Sequence, residues 1–510
     1  MVGTWDDDGG ALPAHTDIVV IGSGFSGLGT AIRLKRAGWS DFVVLERNPG
    51  LGGTWHDNTY PNCGCDVPSH LYSFSFAPKP DWSRTYSGQP EIRRYLAACA
   101  ERFGIVDHIR FGCEVHSASW DDRRGAWRVV TGSGTVVARV LIAGMGPLSE
   151  PRYPSIPGLD RFRGTIFHSA RWNHEHDLRG EQVASIGTGA SAIQYVPAIA
   201  PEVDQLYVFQ RTAPWVVPHT DRRINGFEQR VFRNIPLLQR LVRAGVYIGR
   251  EALVPGFVKE PRLMHALEWV ASHHMRRQLR DPELRRKATP DYTIGCKRIL
   301  PSNDWYPTLQ RPNVELVTDP VAEIRPRSIV TGDGTERAVD TIIFGTGFHV
   351  TDMPAARRLY GRHGMRLDAA FRGGPRAYLG TTVAGFPNLF LLLGPNTGLG
   401  HSSMVYMIES QIDHVLAALE AIHRRGAHTI EVRGQVQDTF NRWVDEAMVA
   451  TVWQTGCASW YLDATGRNPT LWPDWTWRYR RSARRFDPAD YELTIRSPAA
   501  SPVAAGDAAE

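Results

Sequence analysis

Two glycine-rich turns constrain this chain more than any other feature of its sequence. The first, GSGFSG at 22–27, follows the buried strand DIVVIG and opens a helix that ends near Gly38. The second, GTGASA at 187–192, stands in the same strand–turn–helix context about 165 residues later. The glycines of such a turn let the backbone approach a pyrophosphate, which the helix N-terminus attracts. The sequence therefore predicts an α/β fold with two Rossmann-like dinucleotide-binding domains.

The two turns differ in the residue that closes the strand after each helix. Glu46 closes the first of these strands, where a carboxylate would bind ribose hydroxyls and repel a 2′-phosphate, so this site favours FAD or NAD. Arg211 closes the second, and its guanidinium would bind a 2′-phosphate through two hydrogen bonds, so this site favours NADPH. The pair indicates electron flow from NADPH to FAD. A dithiol, oxygen and a quinone all remain open as the acceptor beyond the flavin.

The composition is that of an ordinary globular protein, with 42% hydrophobic and 22% charged residues. Six cysteines in 510 residues are too few for a disulfide scaffold. Cys63 and Cys65 have no second pair at zinc-site spacing, so we expect no metal. The start of the chain lacks a signal-peptide pattern, and no run of about 18 apolar residues occurs. We therefore expect a cytoplasmic protein with no transmembrane segment.

Positive charge is concentrated between 222 and 287, where 15 Lys and Arg stand against 6 Asp and Glu, although the whole chain has a net charge of only +5. The apolar residues of this segment recur at helical spacing, and no nucleic-acid-binding motif is present. We interpret the segment as a solvated helical insertion. Attraction of an anionic cofactor or of a membrane surface is the alternative, and we expect no nucleic-acid partner.

The order of these segments predicts a discontinuous arrangement of domains. Two late buried strands, in DTIIFGTGF at 340–348 and NLFLLLGPNTG at 388–398, would return to complete the first domain. The predicted segments are the first part of an FAD-binding domain at 1–150, the first part of an NADP-binding domain at 151–220, a helical insertion at 221–290, the second part of the NADP-binding domain at 291–340, the second part of the FAD-binding domain with active-site loops at 341–496, and a disordered tail at 497–510.

Further motifs resemble those of a known family. FRGTIFHSARWN at 162–173 resembles the signature of type I Baeyer–Villiger monooxygenases, Phe-x-Gly-x-x-x-His-x-x-x-Trp followed by Pro or Asp, with Asn173 in the last place. GGTWHDNTYPNCGCD at 52–66 resembles a second pattern of the family, which is Gly-Gly-x-Trp, four residues, Tyr-Pro and then Asp. Asn62 stands where the family usually has Gly or Met. Shorter matches are QRTAPWVVP at 210–218, CKR at 296–298, FGTGF at 344–348 and SWY at 459–461. From about residue 17 to 490 the chain is identified as a member of this flavin monooxygenase family.

The resemblance implies a reaction that the two turns alone leave open. In the family NADPH reduces FAD, O₂ adds at flavin C4a, and the resulting peroxyflavin attacks a ketone to give an ester or lactone. Arg298 is implied to stabilise the anionic intermediate, Asp66 to orient this arginine, and Lys297 to help hold the 2′-phosphate. His168 and Trp172, in the signature stretch, are implied to couple the two domains rather than to transfer protons.

The predicted site combines the glycine turns with these family positions. The predicted catalytic residues are Arg298 and Asp66. The predicted residues for binding FAD and NADP are Gly22, Gly24, Phe25, Gly27, Glu46, Gly53, Thr54, Trp55, Asp66, Tyr72, Val115, Met404, Thr188, Gly189, Ser191, Gln194, Arg211, Thr212, Lys297, Arg298 and Trp460.

Three alternatives compete with ketone oxidation. Oxygenation of nitrogen or sulfur on the same fold would make Arg298 dispensable, and such relatives usually carry Tyr or Phe where Trp172 stands. A disulfide reductase needs a redox pair beside the first helix, for which Cys63 and Cys65 are too close together and too late in the chain. An FAD-binding protein without activity would leave the second dinucleotide site idle.

The substrate is only loosely indicated. Six tryptophans lie between 443 and 477, where they would form either ordinary core or an aromatic wall for a large substrate. We expect an apolar, bulky ketone. The identity of this ketone and the oligomeric state are left open.

Overall fold

The structure is a computed structural model that describes residues 11–495 of the chain. The disordered tail predicted at 497–510 lies outside the described residues, as do residues 1–10. Within the part of the chain that is described, no helix is both long enough and apolar enough to cross a membrane.

Two largely parallel sheets and the helices that connect their strands form the framework of the described chain. The strands are β1 (His15–Ile21), β2 (Phe42–Leu45), β3 (Ile109–Arg110), β4 (Val115–Asp121), β5 (Ala126–Thr131), β6 (Gly134–Ala143), β7 (Thr165–His168), β8 (Gln182–Ile186), β9 (Gln205–Phe209), β10 (Val216–Val217), β11 (Leu300–Pro301), β12 (Val314–Val317), β13 (Val321–Arg325), β14 (Ser328–Thr331), β15 (Glu336–Ala338), β16 (Thr341–Phe344), β17 (Leu359–Tyr360), β18 (Leu389–Leu391), β19 (Thr429–Val432) and β20 (Tyr491–Thr494). The helices are α1 (Phe25–Arg36), α2 (Thr54–Asp57), α3 (Gln89–Arg102), α4 (Ala192–Ile199), α5 (Gly226–Asn234), α6 (Pro236–Glu251), α7 (Val254–Val258), α8 (His265–Gln278), α9 (Pro282–Lys287), α10 (Trp305–Thr308), α11 (Leu367–Ala370), α12 (Met404–Arg424), α13 (Gly434–Met448) and α14 (Thr476–Arg484).

The first sheet has the order β17-β4-β5-β6-β1-β2-β3, and β18 pairs with β6 outside this path. Its centre is β1, which runs parallel to β2 on one side and to β6 on the other. The segment Ile18–Ile21 is buried, as expected for a parallel strand that helices cover on both faces. The glycine turn at 22–27 follows β1 directly, so it opens at the carboxyl edge of the sheet, where ligands of α/β folds bind.

The second sheet has the order β12-β9-β8-β16-β7, and all of its pairs are parallel. Here the structure corrects one predicted boundary. The segment from 341 was assigned to the returning part of the first domain, but β16 pairs with β7 and β8 in the second sheet. A short apolar strand that is buried on both faces fits the interior of either parallel sheet, so its letters do not identify its partners. The later strands β17 and β18 do return to the first sheet.

The chain crosses between the two sheets twice, once after β6 and once after β16. The two crossings lie against each other as a short antiparallel ribbon. The amide of Arg152 donates to the carbonyl of Gly347 at 2.9 Å, and the amide of His349 donates to the carbonyl of Glu150 at 3.0 Å. We call residues 150–152 with 347–349 the crossing ribbon.

The fold class predicted from the sequence, two Rossmann-like domains with a helical insertion, is confirmed. The insertion itself consists of α5 to α9, between the short paired strands β10 and β11. Helix α5 begins with a capping box, in which Asn225 accepts from the amide of Glu228 at 2.9 Å. This capping box fixes the residue at which the first helix of the insertion begins.

Candidate active site at the two dinucleotide-binding turns

The first turn requires glycine at two of its positions. Gly22 has φ +91°, and a Cβ on Gly27 would lie 1.7 Å from the carbonyl oxygen of Gly22. A Cβ on Gly24 would lie 3.5 Å from Cα of Gly53, so the turn at 22–27 meets the later Gly-Gly turn backbone to backbone. This cradle of bare backbone at the N-terminus of α1 fits the pyrophosphate of a dinucleotide.

Glu46 lies beside this turn and is buried. One of its carboxylate oxygens accepts from the amide of Ser23 at 2.8 Å and from its hydroxyl at 2.7 Å, and the other accepts from the amide of Asn48 at 2.8 Å. Val115 starts β4 two residues after Cys113, whose amide donates to the carbonyl of Glu46 at 2.8 Å. The carboxylate is thus fixed next to the cradle, where its charge disfavours a 2′-phosphate.

Three of the predicted flavin contacts form one aromatic cluster. The rings of Phe25 and Tyr72 are 5.0 Å apart, and those of Trp55 and Tyr72 are 5.6 Å apart. Nε1 of Trp55 donates to the hydroxyl of Tyr72 at 3.1 Å. Thr54 is exposed at the start of α2, and Met404 is half-buried at the start of α12.

The second turn is more open than the first. Gly187 has φ +112°, and a Cβ on Gly189 would meet nothing within 4 Å. The hydroxyl of Thr188 donates to the carbonyl of Thr212 at 3.3 Å, which links the turn to the residue after Arg211. Ser191 precedes α4 and is half-buried, so the N-terminus of this helix is accessible.

Two cations lie close together near the second turn. The pKa of Lys297 is lowered, first by burial and then by the positive charge of Arg211. The ammonium of Lys297 lies 4.6 Å from the centre of the Tyr292 ring. Among residues 11–495 neither cation has a carboxylate within ion-pair distance. Two unpaired cations that raise each other's electrostatic energy favour an anion between them.

Arg298 and Asp66 form a two-point ion pair between segments that are 232 residues apart. Nε of Arg298 donates to one carboxylate oxygen at 2.8 Å, and Nη2 donates to the other at 2.5 Å. The carboxylate raises the pKa of Arg298 well above its usual range. Burial alone would raise the pKa of Asp66, but the charge and hydrogen bonds of Arg298 lower it. About a third of the Arg298 side chain, 34%, remains exposed.

Sequence reasoning missed Tyr461 as a member of this group. It is buried and interacts electrostatically with both Arg298 and Asp66. Burial raises the pKa of its hydroxyl to about 12, so it is neutral at physiological pH. The neighbouring Trp460, which the sequence singled out, is 43% exposed and lies 4.3 Å from the Tyr461 ring. The motif SWY held the signal, but only the fold shows which of its rings turns inward.

Cys296 and Cys457 form a disulfide with a Cα–Cα distance of 6.2 Å across 161 residues of sequence. The bond joins the residue before Lys297 to the loop that carries Trp460. Six cysteines gave no reason to expect it, since a single disulfide depends on two distant residues meeting in the fold. It ties the cationic segment of the site to the aromatic loop.

Some of the tryptophans between 443 and 477 belong to the core, and others are exposed enough to form an aromatic wall. Trp453 and Trp472 are buried in the core. Trp443, Trp460 and Trp477 are each about two-fifths exposed, at 39%, 43% and 43%. The stretch is therefore neither wholly core nor wholly an aromatic wall.

Gln194 bridges the two dinucleotide-binding domains. Its side-chain oxygen accepts from the hydroxyl of Tyr60 at 3.0 Å and from the amide of Gly64 at 3.2 Å. Its side-chain nitrogen donates to the carbonyl of Gly64 at 3.1 Å. The residue was predicted to bind a cofactor. In the structure its amide holds α4 against the 60–64 loop of the first domain.

The signature stretch lies at the same boundary. His168 ends β7 and is buried, its Nδ1 accepts from the amide of Ala170 at 3.1 Å, and burial lowers its pKa to about 4. Trp172 packs its ring 5.5 Å from that of Tyr195 on α4. A buried neutral histidine and a packed ring suit a role in holding elements together.

Cys63 and Cys65 are separate, buried thiols. Burial raises the pKa of Cys63 to about 12 and that of Cys65 higher still. The thiolate is the reactive form of cysteine, so neither side chain is suited to thiol exchange.

Two glycine cradles, one beside an acid and one beside a pair of cations, define a flavoprotein that also binds a nicotinamide dinucleotide. The sequence model of the family described as pyridine nucleotide-disulphide oxidoreductase matches residues 19–229, which contain both cradles. A Baeyer–Villiger monooxygenase of Streptomyces coelicolor is 51% identical over 95% of this chain and 94% of its own. Another, from Pseudomonas aeruginosa, is 48% identical over 95% and 92%. The chain belongs to the Baeyer–Villiger monooxygenase family, as its motifs predicted.

Solved structures agree with this assignment. A steroid monooxygenase bound to NADP has 31% identity and a TM-score of 0.84, over 94% of this chain and 100% of the other. The OTEMO complex with FAD and NADP has 27% identity and a TM-score of 0.85, over 94% and 99%. The cyclohexanone monooxygenase of Rhodococcus bound to NADP⁺ has 28% identity and a TM-score of 0.85, over 95% and 100%. Ketone oxidation is thereby favoured over oxygenation of nitrogen or sulfur.

Proposed function

We propose that this chain is an FAD-containing, NADPH-dependent monooxygenase that inserts one atom of O₂ beside a ketone carbonyl to give an ester or lactone. The observation that carries the proposal is the two-point Arg298–Asp66 pair, which holds a permanent cation in one orientation in a chain of the Baeyer–Villiger family. When bound, FAD supplies the reduced carrier that activates oxygen. The roles below belong to the chain's own residues.

The first cradle holds FAD. The bare backbone at Gly24 and Gly53 admits the pyrophosphate, and Glu46 accepts hydrogen bonds from the ribose. The cluster of Phe25, Trp55 and Tyr72 offers flat apolar surface beside the cradle. Such surface fits a flavin ring and excludes water from it.

The second cradle holds NADPH. Arg211 and Lys297 bind the 2′-phosphate, whose double negative charge would relieve the repulsion between them. The open N-terminus of α4 receives the pyrophosphate. Trp460, on the loop tied by the disulfide, covers the nicotinamide half.

Arg298 stabilises the negative charge that develops on oxygen as the ketone reacts. Asp66 occupies Nε and Nη2, so Nη1 is the group available to the substrate. A guanidinium with a raised pKa donates hydrogen bonds without losing a proton. Asp66 positions the arginine, and the buried Tyr461 interacts with both members of the pair.

We expect the enzyme to act in the cytoplasm.

The preferred substrate is a bulky apolar ketone. The support for this preference is the exposed aromatic surface of Trp460 beside the cationic segment and the apolar cluster of the first cradle. Apolar area removed from water contributes roughly 25 cal/mol per Å², so a larger ketone gains more from such a wall.

A size series of ketones and one sulfide tests the proposal. Purified holoenzyme with NADPH or NADH is supplied with each compound, NADPH oxidation is corrected for hydrogen peroxide, and products are identified by mass. We expect an ester or lactone carrying one atom of ¹⁸O₂, a strong preference for NADPH, and kcat/KM that rises with ketone size. Sulfoxide as the only product would overturn the ketone assignment, and a flat size series would overturn the preference for bulk.

A further inference from the structure

Helix α6 presents its polar side to the protein. Gln239, Arg243 and Arg250 follow one another at spacings of four and seven residues, so they share one face of the helix. Nε2 of Gln239 donates to the carbonyl of Lys79 at 2.6 Å, and Nη1 of Arg243 donates to the carbonyl of Ser73 at 3.0 Å. These polar groups find their partners inside the fold.

The opposite side of α6 is apolar and faces solvent. Leu237, Leu241, Ala244 and Ile248 share this side at spacings of four, three and four residues, and all four are exposed. The exposed fraction is 63% for Leu237, 59% for Leu241 and 65% for Ile248. An amphipathic helix on a folded domain normally buries its apolar stripe. On α6 the inner side also packs Val242 and Val246 against the core, yet this outer apolar stripe stays in solvent.

Neighbouring residues enlarge this surface. Phe227 on α5 is 72% exposed, and α5 lies against α6. Ile235, between the two helices, and Leu238 are exposed as well. We call Phe227, Ile235, Leu237, Leu238, Leu241 and Ile248 the apolar face of α5–α6. Exposed apolar surface of this extent is typical of an interaction site.

The exposed positive charges on the same helices favour an anionic partner. Arg230, Arg233 and Arg240 are exposed, and within residues 11–495 none of them has an ion pair. The only acid between 226 and 250 is Glu228, which is paired with Arg222 at 2.7 Å. A second copy docked across a two-fold axis would bring the same arginines face to face. Anionic lipid headgroups would instead neutralise them.

We propose that the apolar face of α5–α6 docks on an anionic membrane surface. Helix α6 lies in the plane of the interface, with its leucines and isoleucine among the acyl chains and its arginines at the headgroups. This is an association with one leaflet, which goes beyond the proposed function and does not depend on it.

The docking surface is joined to the active-site loops through the inner side of α6. The ring of Tyr247 stacks on that of Tyr406 with 4.9 Å between centres. Glu251, the last residue of α6, accepts from the hydroxyl of Thr476 at 2.7 Å and lies 3.4 Å from Nε2 of His401. A docked molecule therefore keeps His401 and the start of α12 one helix away from the lipid.

Co-sedimentation of the full-length holoenzyme with vesicles tests the proposal. One set of vesicles is phosphatidylcholine alone, and the other contains phosphatidylglycerol as well. We expect the wild type to bind the anionic set only, and less at high salt. Leu241→Gln with Ile248→Gln should weaken this binding about tenfold or more, because the apolar area that enters the interface is lost. Val449→Gln, which changes another exposed apolar residue, should bind as the wild type does.

Two further measurements separate a loss of docking from a loss of folding and test the role of the arginines. FAD absorbance and the thermal unfolding midpoint show whether the double variant is folded. Arg230→Gln, Arg233→Gln and Arg240→Gln together alter exposed residues only, and should lower binding to anionic vesicles about tenfold or more. Equal binding of wild type and variants, or no binding of the wild type, overturns the proposal. So does light scattering that shows a wild-type dimer split by the Leu241 and Ile248 changes, since the partner would then be a second copy.

Discussion

At the scale of the residue, the fork between Arg298 and Asp66 fixes the orientation of a cation at the candidate site. The carboxylate takes two of the three guanidinium nitrogens, so the direction of the third is fixed. Lysine would keep the charge but could not make this two-point contact. The cation therefore contributes through its orientation as well as its charge.

Arg298→Ala should lower the rate of ester formation roughly 10²–10³-fold, because one preoriented stabiliser of a developing oxyanion is lost. FAD content should stay at the wild-type level. Arg298→Lys should recover only part of the rate. Product formation under saturating NADPH measures the effect, with the exposed Arg425→Ala as the control. Near wild-type ester formation by Arg298→Ala would show that the guanidinium is not catalytic.

Arg211→Ala should raise KM for NADPH roughly tenfold to a hundredfold, because a charge-assisted contact to the 2′-phosphate is lost. KM for NADH should change little, since NADH lacks that phosphate. Steady-state kinetics with both coenzymes measure the split. A parallel rise for the two coenzymes would place Arg211 outside the phosphate site.

At the scale of the element, the disulfide turns two separate loops into one unit. Cys296 precedes the cationic pair Lys297 and Arg298, and Cys457 precedes the aromatic pair Trp460 and Tyr461. Motion of the aromatic loop must therefore carry the 296 segment with it or stay within the reach of the bond.

Reduction of this bond should loosen the loop. Dithiothreitol treatment, or Cys457→Ser, should lower the free energy of unfolding by about 2–4 kcal/mol and increase the hydrogen peroxide formed per NADPH. Denaturant titration and peroxide assays measure the two effects. Cys113→Ser, which alters a buried thiol outside the bond, should keep the wild-type response to dithiothreitol. A Cys457→Ser enzyme that forms no more hydrogen peroxide per NADPH than the wild type would show that the tether is not needed for coupling.

At the scale of the whole molecule, buried neutral histidines tie distant parts of the chain together. His414 on α12 lies 2.8 Å from the carbonyl of Ala483 and 2.6 Å from the hydroxyl of Tyr491. Burial lowers the pKa of His414, His70 and His168 to about 4 each. Stability therefore depends on pH through these buried imidazoles.

The sign of this dependence follows from proton binding. Between about pH 6.5 and 4 the unfolded chain protonates these histidines and the folded chain does not, so the free energy of unfolding decreases as pH falls through that window. For His414 the loss is at most about 3 kcal/mol. The deficit of His414→Gln relative to the wild type should shrink from pH 7 to pH 4 in thermal unfolding. Gln411→Leu, at a buried site that does not titrate, should show a constant deficit.

The glycine turns and their neighbours were predictable because their geometry is local. At Gly27 any Cβ would overlap the Gly22 carbonyl, so the letter itself encodes the turn. The placement of β16 was not predictable, since a four-residue apolar strand fits either parallel sheet. The disulfide and the inward position of Tyr461 depend on contacts between distant segments, which no local pattern encodes.

The crossing ribbon has a mechanical consequence for the distance between the two cofactors. The chain passes between the two sheets at 150–152 and at 347–349, and these passages are hydrogen-bonded to each other. Rotation of one dinucleotide domain against the other must therefore bend both passages together, so that they act as one hinge. A hinge of this kind restricts the rotation to an axis along the ribbon. The hydride donor would then approach the flavin along an arc, and the radius of that arc is its distance from the ribbon.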